Sequence, residues 1–191
     1  MSALPRLALG FAAGALSILI FREATVFGLN QVGLTQMAVY SWRAAPPLGL
    51  PLIVNQCFWG GLWGILFVLL WDRSGFQGGG GLAAAFFGLA AGLLAWGAAS
   101  LVFADIKAIA AGIVAGGIVA GLILLFGSGI LFGLVFGVAG PAVLSWVVMP
   151  MIRSQTLFGG RIAVTVAIEG MFGIGLAVLI SLVARFAGGR S

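Results

Sequence analysis

From Pro51 to Trp71 the chain reads PLIVNQCFWGGLWGILFVLLW, without one charged side chain. As a helix, such a run reaches across the roughly 30 Å hydrocarbon core of a bilayer, which takes about 20 apolar residues. A helix is also what lipid demands, because it satisfies every backbone N–H and C=O inside the segment. Other long apolar runs follow, separated by short Gly, Pro and Arg breaks. The 191 residues are 62% hydrophobic and only 7% charged, whereas a soluble domain is about 25% charged. A chain with this balance cannot cover itself with a solvated surface. The predicted fold is an all-α polytopic integral membrane helical bundle of about six transmembrane helices, a single transmembrane domain over 1–191.

The first helix is expected over 5–29, with Pro5 suited to its first turn. One positive charge before an apolar run resembles the start of a signal peptide, but the run continues with no convincing cleavage site before Arg22, so a retained helix is expected. Residues 31–50 carry Tyr40, Trp42, Arg43 and prolines, a mixture that predicts an interfacial segment. Further helices are expected over 51–71, 82–104, 108–126, 130–149 and 162–184. The sequence DIK at 105–107 forces a turn, since more than 40 apolar residues cannot make one span, and the uncharged GSG at 127–129 is the weakest break. Six spans place both termini on one side. Orientation stays open, because Arg6, Arg73, Arg185 and Arg190 on one side balance Arg43, Lys107, Arg153 and Arg161 on the other.

The net charge of +5 would suggest nucleic acid in a soluble protein. Here the cations are scattered singly where apolar runs stop, so they read as headgroup anchors, and no nucleic-acid partner is expected. Tyr40, Trp42, Arg43, Arg153 and Arg161 are the predicted interfacial anchors. The chain has no histidine and one cysteine, Cys57, which removes histidine acid–base chemistry, histidine ligation of haem and any Cys/His zinc cluster. No catalytic motif is present, and no enzyme activity, cofactor or metal is expected.

Charge inside the lipid is the chemical signal. A mid-bilayer charge costs about 2.5 to 3.5 kcal/mol on insertion scales, so ionisable residues there face protein or water and find partners. Arg22 and Glu23 stand side by side in the first run. About 100° apart on a helix, they are not expected to pair with each other. Glu169 is the other carboxylate inside a predicted span. If the first and last helices are antiparallel neighbours, Arg22 pairs with Glu169, and Glu23 faces a polar cavity with Asn30, Gln31, Asn55 or Gln56. The functional reading is a proton or cation path. The structural reading is a bridge that fixes helix packing, or a pair solvated at the headgroups. Arg22, Glu23, Glu169, Asn55 and Gln56 form the predicted intramembrane polar network under either reading.

Glycines four apart recur, among them Gly10 and Gly14, Gly60 and Gly64, and the series Gly129, Gly133 and Gly137. In lipid no hydrophobic force draws helices together, so close approach at small residues is a main source of association, within the bundle or at a dimer face. Ser145 and Thr165 are expected to bond backbone carbonyls or neighbouring helices. Trp42, Trp59, Trp63 and Trp71 gather around the second helix, where belts and packing are commoner uses than stacking a pigment or quinone ring.

The stretches PPLGLPLIVNQCFWGGLWGILF (46–67), LFGLVFGVAGPAVLSWVVMPMI (131–152) and EGMFGIGLAVL (169–179) resemble an uncharacterised group of small bacterial inner-membrane proteins. The resemblance covers about half of the chain, skips 82–126 as an added hairpin, and implies a bacterial inner (cytoplasmic) membrane location without implying an activity. Two roles are then expected. One is a non-catalytic accessory or structural subunit packed against membrane lipids and a larger bioenergetic or photosynthetic membrane complex, or against itself. The alternative is a small transporter or channel for protons or small cations using Glu23 and Glu169.

Overall fold

The computed structural model describes residues 3–45, 49–71, 121, 129–152, 154–155 and 162–188. The helices predicted over 82–104 and 108–126 lie outside them except for the helical Gly121, as do Arg153 and Arg161. Among the described residues four helices are long and apolar enough to cross a membrane: Leu4–Gln31, Leu52–Trp71, Gly129–Met151 and Ile162–Phe186. The chain is thus a helical membrane protein.

The first rod is α1 (Ala3–Ser17), a π-helical turn (Ile18–Arg22) and α2 (Glu23–Gln31) in one line, so it runs past the predicted end at 29. Its end is a left-handed cap. Gly33, at φ 74°, gives its N–H to the Asn30 carbonyl at 3.0 Å, and Leu34 reaches back to Leu29 at 2.9 Å. This is the double closure of a helix C-terminus that glycine permits. The predicted interfacial segment then forms a strap along the rod and a short antiparallel hairpin, β1 (Ala44–Ala45) with β2 (Leu50–Pro51), paired Ala44 to Pro51 and Ala45 to Leu50. This hairpin is the one departure from an all-α fold among the described residues. It also serves the next helix, α3 (Leu52–Trp71): the Leu52 and Ile53 amides, which have no partner within the helix, donate to the Arg43 and Ser41 carbonyls at 2.9 and 3.0 Å.

The third rod starts as α4 (Gly129–Gly137), passes through two π-helical segments, Val138–Ala142 and Leu144–Val148, and ends as α5 (Met149–Ile152). Pro141 lies in the first of them. Proline has no N–H to give and its ring crowds the preceding turn, which the wider π geometry accommodates. The last rod is α6 (Ile162–Gly188).

Glycine sets how these rods meet. Gly10 faces Gly64 and Gly14 faces Gly60, so α1 and α3 cross antiparallel with backbones in contact; a methyl on Gly10 would stand 2.7 Å from the Gly64 carbonyl oxygen. Gly133 and Gly137 meet Gly173 and the Glu169 backbone, where a methyl on Gly173 would stand 2.8 Å from the Gly137 nitrogen. Between α1 and α6, the buried Ser17 donates its hydroxyl to the Phe172 carbonyl at 2.6 Å. The α3 and α4 rods touch through rings: Phe67 lies 5.2 Å from Phe132 and 5.1 Å from Phe136, and Trp63 lies 5.8 Å from Phe136. Each rod therefore borders two others, closing a four-membered circuit with antiparallel neighbours. The glycine spacing that reads equally as a dimer face is spent inside the bundle at these positions.

Gly28 is the counterexample, exposed on α2 with nothing within 4 Å of an added methyl. Gly28→Ala is expected to stabilise the fold by up to about 1 kcal/mol, the difference in helix propensity. Thermal unfolding in detergent micelles measures it, and a loss of stability would mean that this face is packed.

Candidate functional site

The rods enclose their charges near one end. Glu169 is seven residues into α6, so about 10 Å along its axis, while Asn55 and Gln56 lie in the first two turns of α3. Arg22 closes the π-helical turn of the first rod. π-Helical turns inside α-helices often occur at functional sites.

Arg22 is 7%, Glu23 2% and Glu169 5% exposed, so all three are withdrawn from the surface. Arg22 Nη1 donates to Glu23 Oε1 at 2.9 Å, and its Nε stands 3.9 Å from Glu169 Oε1. The expectation that consecutive Arg22 and Glu23 do not pair is corrected: the long arginine stem sweeps round to its neighbour, and an ionised carboxylate away from water takes the nearest donor. Trp146 Nε1 donates to Glu169 Oε1 at 3.2 Å.

Glu23 is also not placed as expected. Its second oxygen accepts the backbone N–H of Tyr40 at 2.6 Å, delivered by the strap. Tyr40 is held there at φ 48°, a left-handed conformation that a non-glycine residue adopts at a cost, and its hydroxyl donates to the Leu19 carbonyl within the π-helical turn at 2.7 Å. Asn30 and Gln31 do not join the network: Asn30 Nδ2 donates to the Met37 carbonyl at 2.8 Å, its Oδ1 is buried without a partner among the described residues, and Gln31 is exposed. Under the strap, Val26, Val164 and Ile168 form a small core with Leu34, Met37 and Val39.

Asn55 and Gln56 instead line a cavity of about 280 Å³ between the four rods, with Arg22 and Glu169. Its aromatic walls are Trp59 and Trp63 from α3 and Trp146 from the third rod. Of the predicted anchors, Trp42 is 74% exposed and Arg43 is exposed, as suits a headgroup position, while Tyr40 divides its side chain between surface and bundle. Reasoning from sequence missed Trp146 and Ser17. The available signal for Trp146 was an indole far from any charged break, since a buried indole N–H needs an acceptor.

Neither a family model, nor a curated protein, nor a solved structure matches the chain.

Proposed function

We propose that the protein is a small transporter or channel for protons or small cations in a bacterial inner membrane. One observation carries this reading: two buried carboxylates, Glu23 and Glu169, share a single guanidinium beside a polar cavity. With all three groups ionised the cluster holds one negative charge in excess. An uncompensated charge at this depth is costly, and a proton or a cation in the cavity cancels it. Arg22 serves as the fixed counter-charge of Glu23, Glu169 as the exchanging group, and Asn55 and Gln56 as neutral partners for the passing ion or its water.

The accessory-subunit role is supported less, because the glycine faces that would serve a partner are occupied at Gly10, Gly14, Gly60, Gly64, Gly133, Gly137 and Gly173. The six-span topology belongs to this proposal. Gly129 packs on the Trp71 ring, so the described residues on either side of 72–128 meet at the same end of the bundle.

Reconstituted into liposomes with an imposed proton, sodium or potassium gradient, the protein is expected to dissipate at least one of them. Glu169→Gln, which removes the charge and keeps the shape, is expected to abolish that flux. Wild-type vesicles that leak no faster than protein-free ones would end the proposal.

A further inference from the structure

We infer that the cavity binds a small quaternary ammonium cation, with Glu169 as counter-ion and the tryptophan faces as walls; this rests on the transport reading and names its cargo. Three features of the lining lead there. First, the spare charge sits at Glu169. Arg22 gives Nη1 to Glu23 at 2.9 Å but leaves Nε 3.9 Å from Glu169, beyond hydrogen-bonding range. Among the described residues, the hydrogen bond that Glu169 Oε1 accepts comes from the neutral Trp146 N–H, at 3.2 Å. Arg22 and Glu169 both line the cavity, and with Glu23 paired to Arg22 the cluster's net charge disfavours an anion there.

Second, the walls are aromatic. Trp59, Trp63 and Trp146 all line the space, and indole is the best ring for holding a cation within about 6 Å of its face, the arrangement used to recognise quaternary ammonium groups. The bond to Glu169 fixes the Trp146 ring beside the carboxylate, and Trp59, about half exposed, stands at the rim. Third, the polar atoms suit an organic cation better than a bare one. Calcium asks for six to eight oxygens and magnesium for a near-ideal octahedron, whereas the lining side chains offer one carboxylate and the amide oxygens of Asn55 and Gln56. A tetraalkylammonium needs no directed ligands. The volume of about 280 Å³ is near the low end of ligand pockets, about 300 Å³, and so selects a small guest.

The test is calorimetric titration of the full chain in detergent micelles with phenyltrimethylammonium, repeated with sodium and with tert-butylbenzene, which has the same shape and no charge. Saturable binding of the ammonium alone is expected. Glu169→Gln is expected to weaken it roughly 30-fold or more, as for truncating one partner of a buried charge pair. Trp59→Leu keeps the charge network intact, and is expected to weaken binding about 3- to 30-fold through loss of one cation–π face. Absence of saturable binding to the wild type, equal binding of tert-butylbenzene, or binding unchanged in Trp59→Leu overturns the inference, whether or not Glu169→Gln folds. Micelles hold no gradient, so binding and flux fail separately once a gradient of the ammonium itself is added to the liposome assay: flux of another cation without ammonium binding removes the cargo assignment alone, and binding without flux of any cation, the ammonium included, removes transport alone.

Discussion

Replacing Arg22 by methionine is expected to cost the folded protein about 3 to 5 kcal/mol, the usual penalty for removing one partner of a buried ion pair. Methionine keeps the bulk of the stem, so the loss is electrostatic rather than a cavity. Without the guanidinium, Glu23 and Glu169, 2% and 5% exposed, are left in a medium of low dielectric with the Tyr40 and Trp146 N–H groups as their donors among the described residues. Adding Glu23→Gln to Arg22→Met is expected to return much of the loss, because an amide needs no counter-charge. Glu23→Gln alone is expected to cost less than Arg22→Met, since it weakens the 2.9 Å contact but leaves Arg22 and Glu169 with balanced charges. The sign of this coupling, measured by denaturant titration in mixed micelles through a double-mutant cycle, separates a buried network from a solvated pair. An unchanged midpoint for Arg22→Met would mean that water reaches all three groups.

Gly14→Leu is expected to be comparably severe, at or above the upper end of overpacking costs, about 3 kcal/mol. Even a methyl there runs into the Gly60 carbonyl, with the Gly60 carbon at 2.7 Å and the Gly61 Cα at 3.0 Å. These are backbone atoms of a neighbouring rod, which cannot turn aside as a flexible side chain would. The α1 and α3 rods would have to part, and with them the Gly10 and Gly64 contact one turn away. Loss of the monodisperse peak in size-exclusion chromatography and a lowered thermal midpoint are the readouts. Retention of both would mean that the rods meet elsewhere.

The four apolar helices were legible in the sequence because uncharged runs between breaks are a direct imprint of the solvent. The α3 helix, Leu52–Trp71, follows the run predicted over 51–71 closely for that reason. What stayed hidden depends on geometry that hydropathy does not encode. The Arg22 and Glu23 contact could not be read from the roughly 100° spacing of an ideal helix, because the reach of a long side chain beside a π-helical turn is not a matter of angle alone. The prolines at 46, 47 and 51 announced irregular backbone, but not that a hairpin would place the Arg43 and Ser41 carbonyls over the amides of Leu52 and Ile53. Glycine spacing marked close contacts without naming the facing helix. Arg22, Glu169, Asn55 and Gln56 were named from the sequence as polar groups within apolar runs, and all four line one cavity. Trp146 escaped because an aromatic residue in an apolar run looks like packing until its N–H is given an acceptor, and Glu23 went to the strap because a backbone amide leaves no trace in residue type.

The strap joins the cavity to the surface through one chain of contacts. Glu169, Arg22, Glu23 and the Tyr40 amide form a relay of contacts at 3.9, 2.9 and 2.6 Å, leading from a chamber between helices to a loop whose neighbour Trp42 is 74% exposed. The guanidinium is its pivot, one rigid fork serving two carboxylates. A cation that binds Glu169, as proposed, is expected to draw on the 3.9 Å contact and so on the arginine that also holds Glu23. A change at Glu169 is therefore expected to reach a surface loop that carries an exposed aromatic ring, where Trp42 fluorescence measures it.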